Sequence, residues 1–152
     1  MSHPRLNWTD IAPKTYKAMA GVNATLSGST LGPILTDLVQ TRVSQINDCA
    51  FCVDMHARDL RKHGETWQRI NSLSTWRETG LYSARERAAL NWAETMTRLA
   101  DRHSDRDADF AALQAEFDEQ EIVALCWGIA AINAWNRMAI GMSAPIPAQA
   151  ID

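Results

Sequence analysis

The chain has 152 residues, of which 46% are apolar and 22% charged, with a formal net charge of −3. These values indicate one compact domain that buries roughly 70% of its unfolded surface, and they exclude disordered, collagen-like and disulfide-scaffold proteins. The charges form no block of one sign, so nothing predicts binding to nucleic acid or to an anionic membrane. We therefore expect small-molecule chemistry or association between proteins.

The longest apolar stretch, Ile122 to Ile132, is about half the length that crosses a bilayer. The amino terminus lacks the apolar core of a signal peptide. These features predict a cytoplasmic protein, in which the three cysteines are kept reduced and do not build a structural disulfide framework.

Apolar residues recur at spacings of three and four without alternating runs, so the sequence predicts an all-α fold of about seven helices in a single domain, residues 1–152. Pro33 suits a helix start, and Gly64 suits the left-handed residue after a helix end. The predicted helices are Ile11 to Thr25, Pro33 to about Asn47, Cys49 to about Gly64, Glu65 to Leu73, Ala84 to about Asp101, Ala108 to Phe117, and Glu119 to about Met142.

Two capping boxes mark the starts of the fifth and seventh predicted helices. Ser83 precedes Glu86 by three residues, and Asp118 precedes Glu121 by the same spacing. In each pair the two side chains can satisfy backbone donors that the first helical turn leaves unpaired. The box at Ser83 is the best-marked helix boundary in the chain.

The last predicted helix has no charge between Ile122 and Trp135. A helix that is apolar nearly all round is buried on most sides, which in a domain of this size predicts a homo-oligomer. The following residues, 143–152, contain two prolines and are predicted to form an extended carboxy-terminal arm.

The second predicted helix has two distinct faces. Its apolar stripe consists of Leu35, Leu38, Val39, Val43 and Ile46, and its polar face of Asp37, Thr41, Ser44 and Asp48. Ser44 and the neighbouring Gln45 are interpreted either as hydrogen-bond donors to nearby thiols or as ordinary polar residues.

Cys49, Cys52 and His56 form a C-x-x-C-x-x-x-H motif. On a helix these offsets place all three side chains along one face. The helix start favours a thiolate, which attacks peroxides and disulfides, and a second thiol three residues away can condense with a sulfenic acid. His56, one turn further along, can accept or return a proton.

Two other interpretations of this motif stay open. The cysteines could be packed small hydrophobic residues, although His56 on the same helix face argues against this interpretation. They could also bind zinc, but one C-x-x-C with His56 supplies only three ligands, and His63 lies about 10 Å further along the helix axis. We therefore predict no metal site.

The segment from Val43 to His56, V-S-Q-I-N-D-C-A-F-C-V-D-M-H, resembles the core of the AhpD-like alkylhydroperoxidases in the carboxymuconolactone decarboxylase superfamily. Residues 83–99 and the stretch I-N-A-W-N-R ending at Arg137 are similar to the same family. The resemblance implies an all-helical fold with a central helical hairpin, trimers or hexamers, peroxidase activity, and no metal or organic cofactor.

The resemblance also implies the role of each site residue. Cys52 corresponds to the thiol that attacks the peroxide, and Cys49 to the resolving thiol. His56 corresponds to the histidine of a proton relay. The relay glutamate of the family, twelve residues before the first cysteine, is replaced here by Asp37, which is one methylene shorter.

Two departures from the family affect the predicted relay. The shorter side chain of Asp37 is expected either to reach its partner through a water or to be a solvated residue on a polar face. The best-studied branch has a relay histidine directly before the second cysteine, where this chain has Phe51. The relay predicted here is therefore simpler.

Other chemistry-bearing residues receive structural interpretations. Cys126 is predicted to be an inert core thiol, and His63 and His103 to be surface residues. Trp135, Asn136 and Arg137 could line the entrance of the site. The six tryptophans, at positions 8, 67, 76, 92, 127 and 135, are expected in the core or at a subunit interface.

The sequence thus predicts a thiol-dependent peroxidase that reduces organic or hydrogen peroxides and is regenerated by an external thiol or dithiol protein. Two alternatives remain. One is a lyase acting on a lactone acid, against which the paired cysteines argue. The other is a non-catalytic oligomer that uses the disulfide as a redox switch.

Overall fold

The computed structural model describes residues 3–101 and 105–149, and this part of the chain is all-helical, as predicted. A 3₁₀ helix, Leu73–Glu78, joins the fifth and sixth α-helices. The α-helices are α1 Trp8–Ile11, α2 Pro13–Leu26, α3 Pro33–Ile46, α4 Ala50–Lys62, α5 Trp67–Ser72, α6 Ala84–Thr97, α7 Arg106–Gln114 and α8 Glu119–Gly141. His103 and the last three residues of the predicted arm lie outside the described residues.

Several predicted helix boundaries are confirmed. α3 begins at Pro33, and both capping boxes are complete, at Ser83 before α6 and at Asp118 before α8. Gly64 follows α4 with a φ of 87°. This left-handed conformation is accessible to glycine without strain, and it turns the chain away from the helix axis.

Other boundaries differ from the prediction. The first predicted helix is divided at Ala12, since Pro13 starts α2. The prediction that the sixth helix starts at Ala108 was wrong, because the Asp105 side chain accepts a hydrogen bond from Ala108 N and so caps α7 earlier. The prediction that the fifth helix extends to Asp101 was also wrong, because Arg98 leaves the helical conformation.

Helix α3 lies at the centre of the fold, where it packs against α4, α6 and α8. Its apolar stripe is largely buried, as the helical spacing predicted. Its polar face is buried too: Asp37, Thr41 and Ser44 are covered, while Asp48 is exposed. The interpretation of Asp37 as a solvated residue is therefore wrong, because α4 packs over this side of α3.

The turn between α3 and α4 is held by a network of polar side chains. Asn47 Nδ2 donates to both Asn133 Oδ1 and Asn136 Oδ1, each at 2.9 Å. Asn136, which is fully buried, donates in turn to Ser44 Oγ at 3.0 Å. Asp48 takes a φ of 55°, a conformation that short polar residues tolerate better than most. These contacts fix the position at which α4 begins.

A second buried polar group, the Glu94 carboxylate on α6, joins α3 to the 3₁₀ helix. It accepts from Arg42 Nε at 2.7 Å, from Trp76 Nε1 at 2.9 Å and from Arg77 Nη2 at 3.0 Å. Burial raises the pKa of Glu94, but the hydrogen bonds from Trp76, Arg42 and Arg77 outweigh it, so the pKa lies below its ordinary value of 4.5. Glu94 is therefore held as a carboxylate inside the fold.

Both ends of the described chain are fastened to the helices. Arg5 Nη1 donates to the carbonyl oxygens of Ile140 and Gly141, at 3.0 and 2.7 Å, where α8 ends. Arg58 Nη2 on α4 donates to Gln149 O at 2.6 Å. Residues 144–149, part of the predicted arm, form no helix or strand. Within 3–101 and 105–149, no helix is long and apolar enough to cross a membrane.

Candidate active site

Cys49 and Cys52 stand together at the start of α4 and form a disulfide. Cys49 is the N-cap residue of the helix, and its Sγ accepts a hydrogen bond from Cys52 N at 3.4 Å. Its own backbone N donates to Ser44 O at 3.0 Å, which ties it to the end of α3. Each cysteine is only 1% exposed. The C-x-x-C spacing therefore produces a buried pair at a helix N-terminus.

His56 lies one turn further along α4 and contacts Asp37 on α3. His56 Nδ1 is 3.2 Å from Asp37 Oδ1, so the shorter carboxylate reaches the imidazole directly. His56 is 6% exposed, and its other ring nitrogen, Nε2, has no hydrogen-bond partner among the described residues. Asp37 thus orients the imidazole ring through Nδ1, while Nε2 on the other side of the ring has no hydrogen bond to a described residue.

A cavity of about 540 Å³ is bordered by both Cys52 and His56. Most of its walls are apolar and come from α2, α4, α8 and the two ends of the described chain. They include Leu6, Trp8, Tyr16, Phe51, Trp135 and Pro145.

Three aromatic rings form one wall of this cavity. The ring centroids of Trp8 and Tyr16 are 5.6 Å apart, those of Tyr16 and Trp135 are 5.6 Å apart, and those of Trp8 and Trp135 are 5.9 Å apart. Trp135 is held in place by a hydrogen bond from its Nε1 to Asn23 Oδ1 at 3.1 Å. Rings at these separations pack favourably and present a large apolar surface.

Some of the predicted site residues lie elsewhere. Ser44 Oγ accepts from Asn136, and Gln45 Oε1 accepts from Arg42 at 3.3 Å, so neither is engaged with a thiol. Of the three residues predicted at the entrance, Trp135 borders the cavity, whereas Asn136 belongs to the buried network and Arg137 binds Asn133 O. The order of the residues along α8 explains this, because consecutive helical positions point in different directions.

Cys126 was predicted to be a core thiol, and the tryptophans to lie in the core or at a subunit interface; the structure agrees in part. Cys126 is a free thiol that is partly buried and accepts a hydrogen bond from Trp92 Nε1 at 3.2 Å. Trp76 and Trp92 are buried in the core. Trp127 on α8, by contrast, is 60% exposed in this chain.

His63 is a neighbour of the site that the sequence interpretation assigned to the surface. Its side chain is 41% exposed, but its Nε2 lies 3.6 Å from Asp37 Oδ2. His63 follows the last residue of α4, two turns beyond His56, so it approaches the site only through Asp37. Its spacing of seven from His56, which returns to the same helix face, is the signal that could have indicated this contact.

Comparison with known proteins agrees with this architecture. Residues 13–95 match the model of the carboxymuconolactone decarboxylase family. The chain is 38% identical over 138 residues to YdfG, an uncharacterized protein of Bacillus subtilis (strain 168), with 91% of this chain and 93% of YdfG covered. The chain therefore belongs to the carboxymuconolactone decarboxylase family, and it is an AhpD-like member, as the motif predicted.

Two crystal structures are similar throughout most of the fold. One is a protein of unknown function from Agrobacterium tumefaciens, described as a candidate antioxidant defence protein AhpD, with a TM-score of 0.92, 37% identity, and coverage of 97% of this chain and 100% of the other. The second is an uncharacterized peroxidase-related protein from Silicibacter sp. TM1040, with a TM-score of 0.76, 25% identity, and coverage of 87% and 70%.

Proposed function

We propose that this protein is a thiol-dependent peroxidase that reduces organic or hydrogen peroxides through a disulfide cycle of Cys49 and Cys52. The observation that carries the proposal is the buried Cys49–Cys52 disulfide at the start of α4, with Cys52 and His56 bordering one apolar cavity. The descriptions of the Agrobacterium and Silicibacter proteins, as an antioxidant defence candidate and as peroxidase-related, point in the same direction.

The cycle has three balanced steps. The Cys52 thiolate attacks the distal oxygen of the hydroperoxide, the O–O bond breaks, and the alkoxide takes up a proton and leaves as an alcohol. The Cys49 thiol then attacks the Cys52 sulfenic acid, which forms the disulfide and releases water. An external dithiol finally reduces the disulfide and becomes oxidised in exchange.

His56 and Asp37 have the arrangement that proton transfer in this cycle requires. In the proposal, His56 Nε2 takes the Cys52 proton and returns it to the leaving alkoxide, for which an unpartnered nitrogen beside the cavity is suited. Asp37, at 3.2 Å from Nδ1, holds the ring in one orientation and stabilises the imidazolium that forms transiently. Asp37 acts through His56 and does not border the cavity.

The cavity favours an organic hydroperoxide over hydrogen peroxide. Its volume of about 540 Å³ and its predominantly aromatic and aliphatic walls are typical of sites that bind an apolar molecule. Hydrogen peroxide would fill little of this space and would gain nothing from the three-ring wall of Trp8, Tyr16 and Trp135.

The proposal includes the partners and the compartment. A disulfide enzyme needs a continuous supply of reducing equivalents, so we place it in the cytoplasm with a thiol or a dithiol protein as reductant. We also propose a homo-oligomer, a trimer or a hexamer, because α8 presents Val123 and Trp127 as exposed apolar residues on one helix. Their positions four residues apart place them on the same face.

The direct test is peroxide consumption by the purified protein with dithiothreitol as reductant. Hydrogen peroxide is compared with a bulky alkyl hydroperoxide, and the Cys49–Cys52 disulfide is followed by mass spectrometry. Repeated turnover with disulfide formation is the expected result. A disulfide that forms without turnover would instead identify a redox switch. The absence of both disulfide formation and turnover would contradict the proposal.

A further inference from the structure

Three potential metal ligands, Asp37, His56 and Asp59, meet on the side of His56 that faces away from the unpartnered Nε2, and a fourth, His63, lies beside them. Asp37, His56 and Asp59 each offer a ligand atom, and these atoms lie within 4.8 Å of one another. His63 lies outside this group of three, but its Nε2 is 3.6 Å from Asp37 Oδ2, and its side chain, which is 41% exposed, can turn towards the other ligands. We propose that these four residues form a binding site for a zinc-like divalent transition-metal ion.

The two imidazoles each approach one oxygen of Asp37 at a separation that suits ligands of a shared ion. Zinc binds nitrogen and carboxylate oxygen at about 2.1 Å, so two ligands of a tetrahedral ion are about 3.4 Å apart. The two measured separations lie on either side of this value: His56 Nδ1 to Asp37 Oδ1 is 3.2 Å, and His63 Nε2 to Asp37 Oδ2 is 3.6 Å. The second is too long for a hydrogen bond but suits two ligands of one ion.

Local structure explains why these ligands converge. His56 and Asp59 are three residues apart on one face of α4, and His63 is the residue that ends this helix. Asp37 comes from α3, which packs against α4. Two helices therefore supply the donors, and Asp37 and His56, which are both largely buried, fix the geometry before an ion binds.

The chemistry of the donor set indicates the class of ion. Two imidazole nitrogens and two carboxylate oxygens suit zinc and neighbouring transition metals, whereas magnesium and calcium prefer sites made of oxygen alone. The set differs from the zinc interpretation of the C-x-x-C motif, because it uses no sulfur. It also adds the carboxylates of Asp37 and Asp59, which that interpretation did not include.

One charged group competes for the site. Lys62 Nζ contacts Asp59 Oδ1 at 2.6 Å, but the Lys62 side chain is 71% exposed and can turn towards solvent. An ion pair at such a position contributes at most about 1 kcal/mol. Removing the lysine charge should therefore strengthen metal binding.

Metal binding would inhibit the reaction proposed above. An ion on His56 Nδ1 leaves the ring proton on Nε2, so the ring cannot accept a second proton from Cys52. The same ion takes the Asp37 carboxylate from its role of orienting the ring. Zinc would thus be a reversible inhibitor, and only this consequence rests on the proposed function.

The test is calorimetric titration of the oxidised protein with Zn²⁺, with Mg²⁺ as comparison. The disulfide removes the Cys49 and Cys52 thiolates as zinc ligands, and the oxidised form does not react with peroxide, so binding is measured independently of activity. His63→Gln and Asp59→Asn each remove one ligand. Asp54→Asn is the matched control, because Asp54 lies on α4 and pairs with Arg58 outside the cluster.

We expect one Zn²⁺ per chain, much weaker Mg²⁺ binding, and at least about a tenfold loss of zinc affinity in both ligand variants. Asp54→Asn should bind as the unmodified protein does, and Lys62→Ala more tightly. Melting temperatures without zinc verify that each variant is folded, and His63, at the end of α4, is the substitution least able to disturb the core. Zinc affinity that is undetectable, or unchanged in both ligand variants, would overturn the proposal.

Discussion

His56 on α4 and Asp37 on α3 are joined by a contact of 3.2 Å between Nδ1 and Oδ1, in the interior of the protein. The contact leaves Nε2 of the same ring without a partner beside the cavity that Cys52 borders. This division of the two ring nitrogens, one for orientation and one for chemistry, underlies the first prediction.

Asp37→Asn should slow the reaction of Cys52 with peroxide on the order of 10²-fold, because a neutral amide cannot stabilise the imidazolium form of His56. The measurement is the rate of disulfide formation under single-turnover conditions. Asp48→Asn removes a carboxylate from the exposed turn after α3 and serves as the control. An equal rate in Asp37→Asn and the control would remove Asp37 from the mechanism.

The two cysteines should behave differently when each is replaced. Cys52→Ser should abolish peroxide consumption, because the attacking sulfur is lost. Cys49→Ser should allow one turnover and then stop, because the sulfenic acid on Cys52 has no resolving thiol. Peroxide consumed per chain and the mass of the product report both outcomes, with Cys126→Ser as the fully active control. Unimpaired turnover in both variants would contradict the cycle.

Trp8→Ala should change substrate preference rather than general activity. Removing one ring of the aromatic wall should lower kcat/KM for a bulky alkyl hydroperoxide by roughly tenfold and leave hydrogen peroxide nearly unaffected. Trp67→Ala, a partly exposed tryptophan away from the cavity, is the comparison. A parallel fall for both peroxides would show that Trp8 acts on the fold and not on the substrate.

Glu94 should contribute stability that depends on pH. The pKa of Glu94 is lower in the folded protein than in the unfolded chain. Its contribution to the free energy of unfolding is therefore complete at a pH above the unfolded-state pKa, and it is lost as the pH falls through the folded-state pKa. Glu94→Gln should destabilise the protein by about 1 to 3 kcal/mol at neutral pH. It should also flatten the loss of stability below pH 4.5.

Urea unfolding between pH 3 and 7 measures this effect. Glu86, whose pKa is also lowered by Arg69 and Ser83 although burial raises it, keeps part of the acid dependence in the variant. If the unmodified protein and Glu94→Gln lose stability equally as the pH falls, Glu94 is not held as a buried carboxylate.

Trp127→Glu should dissociate the proposed oligomer, because it introduces a charge on the exposed apolar face of α8. Sedimentation equilibrium gives the mass of the assembly directly. Lys17→Gln on α2 changes the net charge by the same single unit and controls for net charge. If the unmodified protein is already a monomer, α8 does not form the subunit interface.

Local signals in the sequence were sufficient for much of the fold. The capping boxes at Ser83 and Asp118 and the turn at Gly64 were predicted because the atoms that decide them lie within a few residues. The C-x-x-C motif likewise placed two cysteines at the start of a helix. The same reasoning did not predict the 3₁₀ helix that follows α5 and contains the buried Trp76.

Contacts between distant residues account for what the sequence did not reveal. The periodicity of α3 separates apolar from polar positions, but it does not say that α4 covers the polar face and buries Asp37. The pairing of Trp135 with Asn23 joins residues 112 positions apart. His63 is exposed, as predicted, but its contact with Asp37 joins two helices and could not be read from local spacing alone.

Under the proposed function, the fastening of both ends of the described chain would also limit which reductants work quickly. Cys52 borders the cavity whose walls include the amino-terminal segment, held through Arg5, and the start of the tail that Arg58 anchors at Gln149. A small thiol would then pass through the cavity, whereas a redox protein would have to displace these segments before its own cysteine met the disulfide. The strength of a few hydrogen bonds at the termini would then set the speed of recycling.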